Sequence, residues 1–421
     1  MVIPPSLKHR PYLYLWVGLL ISITGSQMQV WALYWHIREI TDQPIAVSVL
    51  GLVRFIPVLF LSLFAGLLAD RFNRRKVAIV TQATLGLVAL AFGLLTNSKL
   101  ISLGWIYGLS VLQSIAITFD LPARQALIPN LVPRDELPNA FSMNSIAVNV
   151  GAILGPALSG LVIAGAGLRW VYWLNAISYL AVIVALILMG KITTSTQIKP
   201  VSEGGIHADI REGIHFILKQ PIILSSMILD FFATFFSSAN TLLPFVARDI
   251  LRVGAVQYGW LSAAQSIGDV SVALFISQKG RIRRQGIILS TAVIIFGLAT
   301  ITLGMARSFW LVMAALIIMG AADGLSTIIR NTVRQLQTPD ALRGRMVSIN
   351  QIFFKGGPQL GEMESGIAAQ LLGIPGAIVL GGAGCVIAAV LVLRKFPQLR
   401  TFEGHETSGT ADGYSSVTNG P

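Results

Sequence analysis

Twelve mostly apolar runs follow one another along the chain, separated by short polar breaks. They cover residues 12–37, 45–69, 77–96, 100–121, 140–166, 168–190, 221–247, 256–278, 286–305, 308–329, 346–371 and 376–394. A helix needs about 20 apolar residues to cross the hydrocarbon of a bilayer. The pattern predicts an all-α membrane protein with twelve transmembrane helices. The break at 66–76 sets its orientation. It reads Gly66-Leu67-Leu68-Ala69-Asp70-Arg71-Phe72-Asn73-Arg74-Arg75-Lys76, with four cations in its last six residues. Such a cluster cannot sit in hydrocarbon and favours the cytoplasmic side. Asp70 ends the preceding run and needs partners there, either the basic side chains or a helix N-terminus.

With this turn inside, 23 of the 31 Lys and Arg fall on the cytoplasmic side and six on the outer side, while Arg54 and Lys355 lie within runs. Both termini are then cytoplasmic. Trp35, Trp105, Trp170, Trp260 and Trp310 all fall at outer ends, where an aromatic belt belongs. Residues 191–220 are the most polar internal stretch. Ile206, Ile210, Ile214, Ile217 and Leu218 recur there at helical spacing, as in an amphipathic helix on the cytoplasmic interface. The tail from 396 to 421, rich in Gly, Ser and Thr, is expected to be disordered.

The runs repeat. At an offset of 206, Gly155, Ser159 and Gly160 align with Gly361, Ser365 and Gly366, with Glu362 in the place of Pro156. The same offset pairs Arg124 with Arg330, Pro133 with Pro339, Ser142 with Ser348, Asn144 with Asn350 and Gly167 with Gly373. The basic turn has a weaker counterpart at Lys279-Gly-Arg281-Ile-Arg283-Arg284. The organisation expected is a six-helix bundle over 1–190, a linker over 191–220 and a second six-helix bundle over 221–395. Two related bundles with a substrate path between them suit a transporter.

Composition narrows the classes. The chain has 421 residues, 54% hydrophobic and 12% charged, with a mean hydropathy of +0.72, where a soluble domain carries about 25% charge. A net charge of +12 would suggest nucleic acid in a soluble protein, and here it sets topology. Cys385 is the sole cysteine, and the five histidines lie outside the runs or at their ends, so no metal site is expected. No Gly-rich phosphate loop ends in Lys-Ser/Thr, which argues against ATP as energy source. No cofactor and no enzymatic activity are expected. The first run lacks a small-residue cleavage site and reads as an uncleaved span.

Polar residues inside the runs carry the chemistry, because burial in lipid is expensive. Ser22, Gly25, Ser26 and Gln29 share one face of their helix. So do Ser110, Gln113, Ser114 and Thr118, and so do Asp230, Thr234, Ser237, Ser238 and Thr241. These stripes suit either a weakly polar cavity wall or close helix packing. The charges are Arg54, Asp230, Asp269, Asp323, Lys355, Glu362 and Glu364. A proton-coupled carrier needs one that gains and loses a proton. Asp230, beside Thr234 and Ser237, and Glu364, with no partner on its own helix, are the first candidates. Asp269 and Asp323 follow, and Glu362 shares a face with Lys355 as its structural partner. Gly151-Ala-Ile-Leu-Gly155-Pro156-Ala-Leu-Ser159-Gly160 lets backbones approach closely and kinks at Pro156.

The basic turn resembles the loop between helices 2 and 3 of the major facilitator superfamily, roughly G-x-L-a-D-R-x-G-R-R-K. Gly66, Asp70, Arg71, Arg74, Arg75 and Lys76 match it, and Asn73 replaces a glycine. Asn readily takes the left-handed conformation, so the tight turn is expected to survive. The 151–160 stretch is similar to the superfamily's antiporter motif, G-x3-G-P-x2-G-G, with Ser159 in place of one glycine and Ser142 where an upstream glycine is usual. Thr41-Asp-Gln-Pro44, Arg124-Gln-Ala-Leu-Ile-Pro129, Pro133 and Leu137-Pro-Asn139-Ala140 resemble the drug and siderophore efflux branch. That branch contains the enterobactin exporter and macrolide-efflux proteins. The resemblance implies spans 1, 4, 7 and 10 around a central cavity. Ser22, Ser26, Gln29, Gln113, Ser114, Thr234 and Ser237 are then its candidate wall. It also implies proton-coupled export of a small organic molecule by alternating access, with the Asp70 turn as a latch. The expected setting is the bacterial plasma membrane, with the lipid bilayer, protons and substrate as partners, no nucleic acid, and a monomer as the unit. Nutrient uptake or uniport on the same fold is the alternative, and a non-transporting sensor or assembly protein is the reading outside transport.

Overall fold

The computed structural model describes residues 4–71, 73–190, 212, 214–236, 238–278, 284–339 and 342–402. Within these, the side chains of 63–71, 343–345, 347–349, 351–355 and 401 are not described. Six helices fill the first half: α1 Arg10–Ile40, α2 Pro44–Arg71, α3 Arg74–Asn97, α4 Leu103–Gln125, α5 Leu137–Gly165 and α6 Leu168–Leu188. The second half holds α7 Pro221–Phe236, α8 Ala255–Ser277, α9 Gln285–Met305, α10 Phe309–Gln337 and α11 Arg343–Lys395. Among the described residues, eleven helices are long and apolar enough to cross a membrane.

α11 runs over both of the last two expected spans and is broken at Gly373. Gly373 has φ 74° and ψ 165°, a conformation that only glycine adopts readily. Gly167, 206 residues earlier, has φ 94° and ψ 163° between α5 and α6. The arms 343–372 and 374–395 double back on each other. Gly361 of the first arm and Gly381 of the second both abut the Phe235–Phe236 end of α7. A straight helix would put those glycines about 30 Å apart.

The span expected over 221–247 is interrupted too. α7 stops at Phe236, and a 3₁₀ turn Ala239–Leu242, a short turn Leu243–Phe245 and a π-helical turn Val246–Ile250 follow. Pro244 lacks the N–H that would close an α-turn onto residue 240.

Packing repeats between the halves. α1 packs on α5 and α6, α2 on α4, and α3 on α4 and α6. In the second half α7 packs on α11, α8 on α10, and α9 on α10 and α11. Two pairs cross between halves, α5 with α8 and α2 with α11. The outward faces carry leucine, isoleucine and phenylalanine, among them Phe60, Leu87, Ile177 and Leu391. An apolar surface of this extent belongs against lipid. Trp105, Trp170, Trp260 and Trp310 are exposed at one end of the bundle. Trp35, expected in that belt, is instead buried against Tyr258 and donates to Glu39 Oε1 at 2.8 Å. Ile217 packs on Ile223 and Met227, with Ile214 and Leu218 exposed. The rest of the expected amphipathic helix, Ile206 and Ile210 included, lies outside the described residues, as does the tail beyond Phe402.

Candidate functional site

The basic turn ties helix ends together. Asn73 is not left-handed: at φ −62° and ψ 109° it caps α3, its Oδ1 accepting from the N–H groups of Arg75 and Lys76. A cap satisfies donors that a helix start leaves unpaired, which a glycine could not do with a side chain. Arg74 donates to Ala126 O at 3.1 Å, at the end of α4. Arg75 donates to Gly190 O at 2.5 Å and Ile187 O at 3.1 Å, at the end of α6. Cations suit helix C-termini. Lys76 is exposed. The side chains of Gly66, Asp70 and Arg71 lie outside the described residues.

The 151–160 stretch of α5 faces two partners. A Cβ on Gly151 would come within 2.6 Å of Ile23, and one on Gly155 would strike Gln27. Ser159 donates to Met28 O at 3.0 Å, so this face is laid on α1. Gly160 faces α8, where a Cβ would strike Ala255 O and come 3.0 Å from Gly259 Cα. Arg38 pairs with Asp42 and, at 2.6 Å, with Asp249, and sits 5.1 Å over the Phe245 ring. Tyr258 donates to Trp31 O at 3.0 Å. These contacts join the halves at the tryptophan-bearing end.

A cavity of about 400 Å³ lies between α1, α2, α4 and the first arm of α11. Gln113 and Ser114 of the α4 stripe line it, together with Ser110, Arg54, Phe55 and Gln359. Ser22, Ser26 and Gln29 do not. Ser26 meets Tyr179 Oη at 3.0 Å, Gln29 accepts from Asn175 at 2.7 Å, and Gly25 abuts Ser178, all on α6, while Ser22 is buried. Thr234 likewise faces Gly357 of α11, and Ser238 donates to Pro358 O at 3.1 Å. On α1 and α7 the small polar stripes serve helix packing. Ser237 lies outside the described residues.

The carboxylates divide three ways. Asp230 of α7 and Asp323 of α10 flank Arg330. Its Nη2 lies 2.9 Å from Asp230 and 3.6 Å from Asp323, and its guanidinium donates to Ser326 and Thr327. Asp269 abuts Gly324, next to Asp323. Arg334 donates to Arg330 O at 3.1 Å. The Asp230 pair lacks hydrogen-bond angles, so both carboxylate oxygens are buried with acceptor capacity unfilled. Glu362 sits elsewhere, against Gly51 of α2, with Arg54 and the Tyr34 hydroxyl as its electrostatic neighbours. The side chain of Lys355, its expected partner, is not described. Glu364 lies in an apolar groove with Leu360, Met363, Ile367 and Leu371, and Leu371 is 77% exposed. That groove faces away from the cavity. Among the described residues no group of three His, Cys, Asp or Glu is placed to hold a metal ion.

Sequence similarity agrees with this architecture. The pattern of the transmembrane secretion effector family matches residues 4–412. The chain belongs to that family. It is thereby a major facilitator superfamily transporter. The multidrug efflux pump Tap of Mycolicibacterium fortuitum is 26% identical over 382 residues, 87% of this chain and 91% of Tap. The enterobactin exporter EntS of Escherichia coli is 27% identical over 351 residues, 83% of this chain and 82% of EntS. The fold matches an inward-facing, unoccupied bacterial homologue of the lysosomal transporter Spinster, with TM-score 0.71, 16% identity, and 95% and 99% of the two chains covered. It also matches the nucleoside transporter NupG, with TM-score 0.72, 14% identity, and 92% and 99% covered.

This transmembrane secretion effector has a second buried ion pair that the reading of the sequence missed. Asp120 of α4, 1% exposed, pairs with Arg124 at 2.5 Å and accepts from Thr81 at 2.8 Å and Gln82 at 2.9 Å. The signal was available. Asp120 and Arg124 are four residues apart, and Arg124 is the repeat partner of Arg330.

Proposed function

We propose that this chain exports a small organic molecule from the bacterial cytoplasm in exchange for protons. It would do so by alternating access between two six-helix bundles, 1–190 and 221–395. On this reading α11 supplies the eleventh and twelfth spans, the chain lies in the inner membrane, and both termini are cytoplasmic. The names of Tap and EntS support export, and the cation asymmetry of the sequence supports the orientation. The observation that carries proton coupling is the second-half cluster. Asp230 and Asp323 share the Arg330 guanidinium, Asp269 lies beside Gly324, and Arg334 donates to the Arg330 carbonyl. Two carboxylates that share one guanidinium form a site that can take up a proton when the cation moves to one of them. The Asp323 side chain is 39% exposed and can meet water, whereas Asp230 is 2% exposed. Arg330 can therefore pass between a sealed and an accessible carboxylate as the bundles rock. The basic turn would latch the cytoplasmic ends, with Arg74 and Arg75 anchoring it to α4 and α6.

Reconstituted vesicles test the coupling. Asp230→Asn and Asp323→Asn should each abolish accumulation driven by a pH gradient, while substrate still equilibrates down its own gradient. Full pH-driven accumulation in both variants would remove the cluster from the mechanism. Orientation is tested in intact cells. A cysteine at Asp42 should react with an impermeant thiol reagent, and one at Asn73 should be shielded.

A further inference from the structure

The cavity has a charged pole. Its wall is mostly apolar, with Val30, Phe55, Val58, Ile117 and Pro358, and among the described residues the one ionised side chain lining it is Arg54. Four polar atoms of the wall are buried without a hydrogen-bond partner: Arg54 Nη2, Ser110 Oγ, Gln113 Oε1 and Gln359 Oε1. Buried polar groups in native structures are nearly always satisfied, so a cluster of unsatisfied ones around a cavity points to a ligand. Glu362 is not among the lining residues. It stands behind Arg54, against Gly51 one turn earlier on the same face of α2, and its Oε2 also lacks a partner. It is an electrostatic neighbour of the guanidinium, and Arg54 remains part of the cavity lining. Ser114 donates to Arg54 O at 2.5 Å and fixes the backbone from which that side chain extends.

We propose that this site takes amphipathic organic acids, with the apolar body against Phe55, Val58 and Ile117 and the acidic group on Arg54. The proposal rests on the cavity being the substrate path. A carboxylate, sulfonate or acidic phenol offers the oxygens that a guanidinium binds best. Gln113 and Gln359 add amide groups to the same wall, and an amide turned about its last bond presents its N–H₂ to the remaining acceptors. A cationic group would meet Arg54 first, with Glu362 set behind it.

Equilibrium binding to the full chain in lipid nanodiscs tests this with three fluorescent probes of one naphthalene body. These are a sulfonate, its neutral sulfonamide and a primary ammonium. The sulfonate should bind at least ten-fold more tightly than the sulfonamide, and the ammonium most weakly. Arg54→Gln should weaken the sulfonate at least ten-fold and change the sulfonamide less than two-fold. Glu362→Gln should tighten the sulfonate, because a competitor for Arg54 is lost. Equal affinities for the three probes overturn the proposal, and so does an Arg54→Gln effect that is equal across them. The unmutated protein decides the order of affinities should Arg54→Gln not fold. Val58→Trp, which fills the cavity, separates the two readings. If it leaves all three probes bound, the cavity reading fails and this proposal with it. If it removes all three but their order is not acid first, only the acid class fails.

Discussion

Two seams hold the halves together, and they differ at one repeated position. In the α5–α8 seam Gly160 and Gly259 meet backbone to backbone, and a Cβ on Gly259 would come 2.6 Å from Pro156 O. In the α2–α11 seam Gly366 meets Ser48, and Gly51 meets the Glu362 carboxylate. Glu362 stands 206 residues after Pro156. Beside each seam a serine on the same helix holds its own half together, Ser159 donating to Met28 O at 3.0 Å and Ser365 to Ser238 O at 3.1 Å. So the same close approach is built twice, once dry and once with a charge beside the cavity. On the proposed alternating access, the dry seam would serve as a pivot. The other seam would respond to what enters the cavity, because Arg54, an electrostatic neighbour of Glu362, lines that cavity.

The largest effect should come from breaking the pivot. Gly259→Leu places a side chain against the α5 backbone, which cannot step aside, and should cost about 3 kcal/mol or more. Thermal unfolding, followed by a thiol-reactive dye at the buried Cys385, should show a large fall in midpoint and little monodisperse protein. A midpoint near that of the parent would mean that the α5–α8 approach is not required. Glu362→Gln should be milder, about 1–3 kcal/mol, since it removes the charge that balances Arg54 but keeps the shape.

Gly51→Ala sharpens the contrast. Its new methyl meets the end of the Glu362 side chain and not backbone, so stability should fall by less than about 1 kcal/mol. Transport rate should fall several-fold at unchanged abundance, because the carboxylate is displaced from its place behind Arg54. Unfolding as severe as that of Gly259→Leu would show that both seams are rigid. The smallest effects belong to Ser159→Ala and Ser365→Ala. Each removes one interhelical hydrogen bond, about 0.6 kcal/mol in membrane proteins. Near-equal losses would support the equivalence of the α1–α5 and α7–α11 packings beside the seams, and a clearly larger loss at Ser365 would show that the helix carrying Glu362 leans more on its serine.

Much of the α1–α5 and α7–α11 packing was written in the repeat. Gly155 and Gly361, Ser159 and Ser365, and the turn glycines Gly167 and Gly373 hold the same places in the two halves. The partners of the charged residues were not. Helical spacing gave Glu362 the neighbour Lys355, on its own helix, whereas the fold sets it against Gly51 and beside Arg54, more than 300 residues away in the chain. Asp230 shares a helix face with Thr234, and the fold buries it at 2% exposure beside Arg330.

The sequence by itself determined what depends on local hydropathy and local backbone. That covers where each span runs, where the cations gather, and which glycines can take a positive φ at the turns. Only the tertiary structure decided which face of each span looks inward. In water a helix declares its buried face by polarity, but in lipid both faces are apolar. A stripe such as Ser22, Ser26 and Gln29 then reads the same whether it lines a cavity or packs on α6. The choice is made by the shape of the helices laid against it, and those come from distant parts of the chain.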